Sequence, residues 1–398
     1  MGRILPFFVV LLAVAFFTRV EFFFYLLYSL FGIYFLGRLW ARRSLHAVAV
    51  ERRHDARVLL GDRLPVGVEI QNQSWLPVLW MRLGDTVPAE LTAGAPFRQV
   101  ISLLPRERLD LEYTLTCRRR GYYPLGPFVG LGGDLLGTAS YEVRQSEGDF
   151  VIVYPRIVPL RDLGFPSQSP FGTLPSRQRL FEDPTRIRGV RDYQPGDSPR
   201  RMDWKTSARV GALQVRRYEP AIALETAIFV NLDGGDYALD CRYEAAEQGI
   251  VIAASVAVHL VGQRQAVGLV TNGRDPLAGG EGRVPSLPPR KGRAHLTHLL
   301  DLLARIEAVY EEEEAVPFVE LLNRRSLALS WGSTALIVSP QATEGLLDTL
   351  LALRRRGLAV TLALTCPGRG FQTTVRQAEQ IGVQVLGVRS DREMDVWR

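Results

Sequence analysis

The chain has 398 residues, of which 47% are hydrophobic and 23% charged. That length exceeds the usual single domain and predicts two folded domains with accessory segments, while the composition excludes a disordered, collagen-like or disulfide-scaffold chain. Lysine and arginine total 48 against 42 acidic residues, and all but Lys205 and Lys291 of the basic ones are arginine, a planar fork suited to carboxylates, phosphates or aromatic faces.

The N-terminus is apolar from Ile4 to Phe17 and again from Phe22 to Trp40, with Thr18-Arg19-Val20-Glu21 between the two runs. The second run is long enough to cross a bilayer; the first is short, and Ala13-Val14-Ala15 behind Arg3 also resembles a signal-peptide cleavage site. We read residues 1–43 as a membrane anchor of two apolar helices, a hairpin. Arg3 and the group Arg38, Arg42 and Arg43 flank its outer ends, so the positive-inside bias places both ends, and the body of the protein, in the cytoplasm. The predicted location is thus the cell membrane, multi-pass, with soluble domains facing the cytoplasm.

Residues 44–160 alternate apolar and polar in short runs, such as Arg63 to Ile70 and Leu109 to Thr116, broken by Pro, Gly and Asn. This pattern predicts an all-β, immunoglobulin-like sandwich. A connector follows over 161–220, turn-rich at first and then basic: Arg177 to Arg217 holds eleven basic and five acidic residues. Residues 221–398 form the last predicted domain. Apolar strand-like runs at Thr226–Leu232, Ala266–Thr271, Ala335–Ser339, Ala359–Leu364 and Val383–Val388 alternate with helical stretches near 240–262, 295–308, 343–356 and 374–380. Such alternation predicts an α/β fold with a mostly parallel sheet, whose binding edge lies at the strands' carboxyl ends. Asp233, Asn272-Gly273, Ser339-Pro340 and the loop from Arg274 to Gly292 should share that edge.

The three cysteines, Cys117, Cys241 and Cys366, stand more than a hundred positions apart without C-x-x-C spacing. Their number and spacing argue against a zinc knuckle or a stapled secreted domain and suit a reducing compartment. Phosphate-loop, zinc-protease, nucleophile-elbow and dinucleotide motifs are all missing from the sequence. His295, His298 and Asp301 follow helical spacing, but a helical wheel places His298 and Asp301 opposite Leu296, Leu299, Leu300 and Leu303, which predicts a solvated polar face rather than a metal site.

The segment from Gly189 to Arg209 carries the most chemistry. Its Pro195-Gly196-Asp197-Ser198 core is a turn signal, and the whole is too polar for a buried strand. One reading is a recognition surface, with Arg191, Arg200 and Arg201 as forks and Tyr193 and Trp204 as rigid contact area. The other is an internal salt-bridge network from arginine to Asp192, Asp197 and Asp203 that fastens the connector to the last domain.

This segment resembles the signature of the domain of unknown function 58 family of bacterial and archaeal proteins. The spacing Tyr-x-Pro-Gly-Asp-x-x-Arg-x-x-Asp-Trp is met at Tyr193, Pro195, Gly196, Asp197, Arg200, Asp203 and Trp204, followed by Lys205, Ala208 and Arg209 and then by Val215 to Glu219. Upstream, Cys117 to Pro127 with Asp134 to Gly137, and Val153 to Arg156, are similar to that family's β-domain, and the paired apolar segments fit as well, so the resemblance covers nearly the whole chain. It implies that residues beyond about Leu224 form a von Willebrand factor A-like domain, a Rossmann-type fold used for protein binding. Such domains often hold Mg²⁺ through an Asp-x-Ser-x-Ser loop. Here the loop reads Asp233-Gly-Gly-Asp-Tyr237: Asp233 is kept, Gly235 and Tyr237 replace the serines, and Ser339-Pro340 stands where an Asp is usual. Asp233 is therefore the candidate metal ligand of a degenerate site, with Asp236 as a substitute.

The resemblance also implies company with MoxR-type AAA+ ATPases. Together these features predict a membrane-anchored, non-enzymatic protein-interaction or adaptor protein that works with such an ATPase in the assembly or remodelling of other proteins. Two alternatives stay open: anionic-ligand binding, to nucleic acid or lipid, through the arginine-rich connector, which its interspersed acids disfavour; and a metal-dependent hydrolase built on Asp233 and Asp236.

Overall fold

The structure, a computed structural model, describes residues 5–18, 20–92, 97–134, 140–145, 149–160, 182–194, 197–199, 202–220, 225–278, 286–310, 316–368 and 370–388. The chain divides into two compact units, Met1–Pro155 and Arg156–Arg398.

The first unit opens with α1 (Leu5–Thr18) and α2 (Glu21–His46), which pack against each other. α2 spans roughly 39 Å at 1.5 Å per residue, enough to cross a bilayer's ~30 Å hydrocarbon core, and its apolar stretch is unburied; α1 falls short of that length. Ten strands follow: β1 (Val48–Arg53), β2 (Arg57–Leu59), β3 (Arg63–Asn72), β4 (Val78–Asp85), β5 (Arg98–Leu103), β6 (Arg108–Thr116), β7 (Gly121–Leu125), β8 (Phe128–Gly133), β9 (Ser140–Gln145) and β10 (Asp149–Tyr154). They form three sheets, in the orders β1-β3-β6, β2-β10-β7 and β5-β4-β8-β9. β3 shows why: Leu64, Val66, Val68 and Ile70 alternate inward, and they share one core with Met81, Leu83, Leu103, Val151 and Val153.

Leu45, in the last turn of α2, enters that same core. Gly132 makes the room, since a Cβ there would lie 2.5 Å from Leu45 Cδ2. The apolar helix and the β-domain are therefore one packed body.

A buried charge network crosses the sheets of this unit. The Arg52 guanidinium donates to both oxygens of Asp85 (2.7 and 3.2 Å) and to Asp149 (2.7 Å), and the Tyr113 hydroxyl donates to Asp85. Burial first, and then Asp85, push the Tyr113 phenol far above its ordinary range, so it stays a donor.

The second unit begins, among its described elements, with β11 (Glu182–Asp192), α3 (Trp204–Val210) and β12 (Gln214–Pro220); β11 and β12 pair as an antiparallel ribbon. The polar segment read as a connector, too polar for a buried strand, thus carries a two-stranded ribbon. A two-stranded ribbon can leave its faces to solvent, which suits its arginines.

Then come β13 (Glu225–Val230), α4 (Arg242–Gly262), β14 (Ala266–Thr271), β15 (Leu287–Arg290), α5 (Arg293–Arg305), α6 (Phe318–Ser326), β16 (Thr334–Ser339), α7 (Glu344–Arg355), β17 (Ala359–Leu364), α8 (Phe371–Gln380) and β18 (Gln384–Gly387). The sheet order is β15-β14-β13-β16-β17-β18, parallel throughout except for β15. Residues alternate between its faces. Phe229, Ile337 and Leu362 pack with α6, α7 and α8, while Val230 and Val338 meet Gly249 of α4. α4 is apolar and long enough to cross a membrane, but it is mostly buried here as a core helix.

One expectation is overturned. Cys241 and Cys366 form a disulfide, leaving buried Cys117 as the free thiol. A sequence separation of 125 does not keep them apart, because Cys241 leads into α4 and Cys366 follows β17, and parallel topology returns both to the same sheet edge. Three thiols suited to a reducing compartment are not what this fold holds.

Candidate functional site

The carboxyl ends of β13, β14 and β16 meet as the alternation predicts, and their loops are joined by hydrogen bonds centred on Asn231. Asn272 sets the orientation. Its Oδ1 accepts from Leu232 N (2.7 Å), so its Nδ2 donates to Asn231 Oδ1 (3.2 Å), which also takes the Asp233 N–H (3.0 Å). Asn231 Nδ2 is thereby turned to Asp236 Oδ2 (2.7 Å) and Ser339 Oγ (3.4 Å). Tyr237 closes the cluster by donating its hydroxyl to Asn231 O (2.5 Å), and burial, followed by Tyr310, Asp236 and Asp233, raises its phenol far above the ordinary range.

This arrangement bears on how these residues would fit the Mg²⁺ that the resemblance implies. A cation bridging Asp236 and Ser339 would sit where the Asn231 amide nitrogen, a donor, now stands, and Asp233 Oδ1 already accepts from Gly235 N (3.0 Å). Among the described residues, no group of three His, Cys, Asp or Glu side chains is placed to hold a metal. The donor set does not fit Mg²⁺. His295 likewise serves structure, its Nε2 lying 2.8 Å from Val267 O.

Beside Asp233 lies a group of residues that sequence reasoning missed. Arg242, the first residue of α4, holds its Cζ 4.9 Å from the Tyr243 ring centre and 5.1 Å from that of Tyr310. The two rings are 5.2 Å apart, and both are largely exposed, as is Leu239. Arg242 Nη2 donates to Tyr243 Oη (3.3 Å), while its Nε is buried with no acceptor among the described residues. Gly234 is required here: a Cβ would lie 2.3 Å from the Tyr310 ring. Nothing in the linear sequence joins positions 243 and 310; the only signal is that both follow strand ends or flank loops on the predicted binding edge. Of the loop expected on that edge, Arg274 bridges Glu307, and Asp275 accepts from Arg305 Nε at both oxygens (2.9 Å each) and from Leu277 N (3.1 Å), while 279–285 lie outside the described residues.

In the signature segment, the Arg191 fork is closed on Asp197 (2.6 and 2.7 Å), which also accepts from Gln194 N (2.9 Å). Asp203 caps α3 by accepting from Thr206 N (3.0 Å) and pairs with Arg216 Nε (3.1 Å); that backbone bond first, then Arg216, hold its carboxyl below the usual range. Asp192 departs from the expected network: its partner is the Gln214 side-chain amide, not an arginine. The salt bridges fasten the ribbon to itself. Tyr193 is half-buried, whereas Trp204 and Lys205 at the start of α3 are exposed, Trp204 at 66%. Gly196, Arg200 and Arg201 lie outside the described residues.

Comparison with known proteins matches residues 189–367 to the family described as "Protein of unknown function DUF58". A relative from Bacillus subtilis (strain 168), the uncharacterized protein YeaD, is 24% identical over 288 residues, covering 70% of this chain and 68% of its own. Among solved structures, the CARDB domain of a Pyrococcus furiosus protein, crystallised in complex with di-metal ions, is 19% identical at a TM-score of 0.20, covering 27% of this chain and 91% of that one. The C-terminal domain of wzt is 10% identical at 0.22, covering 28% and 75%. Likenesses so slight bear on no residue of the site. The chain is thus similar to the DUF58 family over the ribbon and most of the parallel sheet, and to the Bacillus relative over about two thirds of both chains.

Proposed function

We propose that this is a membrane-anchored, non-enzymatic interaction protein whose α/β unit is a von Willebrand factor A-like docking domain, and that its partner is a MoxR-type AAA+ ATPase. The observation that carries the docking reading is the exposed group of Leu239, Tyr243 and Tyr310 around Arg242 at the carboxyl edge of the sheet. Aromatic side chains and arginine dominate binding energy at protein interfaces, because they offer rigid area and several donors at little entropic cost. Arg242 reinforces this, since among the described residues its acceptor is a tyrosine hydroxyl, and a partner's carboxylate would meet an under-used guanidinium. The arginines that flank the outer end of α2 support a cytoplasmic face for the body.

The test is direct titration of a purified MoxR-type ATPase against the detergent-solubilised protein, its Tyr243→Ala/Tyr310→Ala variant and Asp233→Ala, with and without Mg²⁺. A loss of about tenfold or more in affinity for the tyrosine variant, and indifference to Mg²⁺, are expected; a hot-spot residue is worth about 2 kcal/mol or more. Equal binding by wild type and the tyrosine variant overturns this edge as the interface. Absence of any binding overturns the ATPase as partner.

A further inference from the structure

We propose that the β-domain does not merely follow its membrane helix but rests on the bilayer, through a tip formed by Trp75, Leu104, Pro105 and Arg106 that enters the lipid interface beside Trp40. The inference rests on α2 spanning the membrane, as in the function proposed above.

Height along α2 comes first. A span needs about 20 residues, and counting from Glu21 these end at Trp40, two and three positions before Arg42 and Arg43. Trp40 thus falls at the hydrocarbon boundary, where tryptophan concentrates, with Arg42 and Arg43 at headgroup level and Arg38, bonded to Tyr34 Oη (3.3 Å), in the last turn of the span. Trp40 Nε1 donates to Pro77 O (3.0 Å), and Gln73 N donates to Ala47 O (2.9 Å). The loop from β3 to β4 is therefore pinned to the helix at both ends, with Pro77 at the boundary itself. Trp75 lies between these two pins.

The neighbouring loop, from β5 to β6, is tied to it. Arg106 N donates to Ser74 O (3.2 Å). Asn72, fully buried, donates from Nδ2 to Leu76 O (2.8 Å) and Leu104 O (3.0 Å), and its Oδ1 accepts from Ser74 N (3.0 Å). A buried amide thus holds the two loops as one rigid tip, yet what the tip presents is apolar: Trp75 is 71% exposed and Leu104 66%. Pro105 and Arg106 are exposed as well, and Arg106 takes a left-handed φ of 59°, a conformation that glycine or asparagine adopts at less cost. Tryptophan, leucine and proline, flanked by Arg106 and by Glu107, whose carboxylate accepts from Leu104 N (2.5 Å), suit the boundary between acyl chains and phosphates, which accepts an indole body and its N–H together. The bilayer is favoured over a protein as the occupant because the tip is fastened to the spanning helix at the height where lipid begins.

The test reconstitutes the full-length chain in vesicles of phosphatidylcholine and phosphatidylglycerol. Two single-tryptophan variants are made, one keeping Trp75 and one keeping Trp40, with the other tryptophans changed to Phe. Emission is quenched from the lipid side by acyl chains brominated near the ester end and from the water side by iodide. Trp75 should be quenched by lipid as strongly as Trp40 and protected from iodide. Because these variants remove partly buried indoles, Leu104→Cys carrying a nitroxide in the otherwise native chain gives a second reading, with greater access to oxygen than to a water-soluble nickel complex expected. Lipid quenching of Trp40 but not of Trp75, with Trp75 open to iodide, overturns the proposal and leaves the span intact. Trp75 shielded from both quenchers means a protein covers the tip and overturns it too. Failure of lipid to quench Trp40 removes the span, and the membrane reading falls with it.

Discussion

The same pair of side chains, arginine forked onto aspartate, is used in both units to opposite ends. In the β-domain the Arg52 side chain is 6% exposed and Asp85 fully buried, and the pair spans strands 33 positions apart. On the ribbon, Arg191 reaches Asp197 six positions away, and its side chain is 39% exposed. The first clamp joins β1 to β4 inside a shared core, where unpaired charge is intolerable. The second shapes a surface turn that water would stabilise nearly as well. The two-bonded pairing alone therefore says little about worth until burial is known.

The widest separation between the two should appear on truncation of Asp85. Asp85→Ala leaves the buried Arg52 guanidinium with Asp149 alone and the Tyr113 hydroxyl without its acceptor, a change expected to cost about 3 kcal/mol in denaturant unfolding of the solubilised chain. Pairing it with Arg52→Met should recover part of that loss, since an apolar pair needs no counter-charge. If Asp85→Ala costs no more than Arg191→Ala, burial is not what distinguishes the clamps.

The disulfide comes next. Cys241→Ser opens a covalent loop of 125 residues and should lower stability by about 2–4 kcal/mol under oxidising conditions and by nothing under reduction. Its state in the cell also bears on orientation. Alkylation of denatured protein, trapped straight from membranes, should find one free thiol, Cys117, if the α/β unit faces an oxidising compartment, and three if the arginine flank of α2 keeps it in the cytoplasm. The first count would reverse the proposed topology.

These two tests also mark where sequence legibility stopped. β14 and β17 were readable to the residue, because strands buried on both faces are continuous apolar runs, and Asp233, Asn272 and Ser339 followed as neighbours once parallel topology was inferred. Arg52 with Asp85, Cys241 with Cys366, and Tyr243 with Tyr310 were not readable, since each pairing depends on strand register or loop return, which local pattern does not encode. The ribbon escaped for another reason: its strands, Glu182–Asp192 and Gln214–Pro220, are rich in arginine and acidic residues, and no apolar alternation marks them.

A smaller effect is expected where α2 joins the core. Gly132→Ala would drive a methyl to 2.5 Å from Leu45 and 3.0 Å from Trp80 O, an overpacking worth about 1–3 kcal/mol. Combined with Leu45→Ala, which removes the clash while forfeiting its own burial, the two changes should be non-additive in a double-mutant cycle. Additivity would mean that the helix end is not packed as described.

The least effect belongs to the ribbon, and it is best separated by pH. The coupling of Arg191 with Asp197 should fall below about 1 kcal/mol at such exposure. Asp203 offers the sharper reading. The Thr206 N–H and Arg216 favour its ionised form, so its folded carboxyl titrates below the unfolded one. Its contribution is therefore complete above the ordinary carboxylate range and lost as pH falls through the depressed folded value. Trp204, next in sequence and exposed, reports on the cap locally. Its emission should shift only in that acid window, without global unfolding, and Asp203→Asn should abolish the shift. A Trp204 transition that survives the substitution would assign the acid sensitivity to another group and leave the cap without a measurable role.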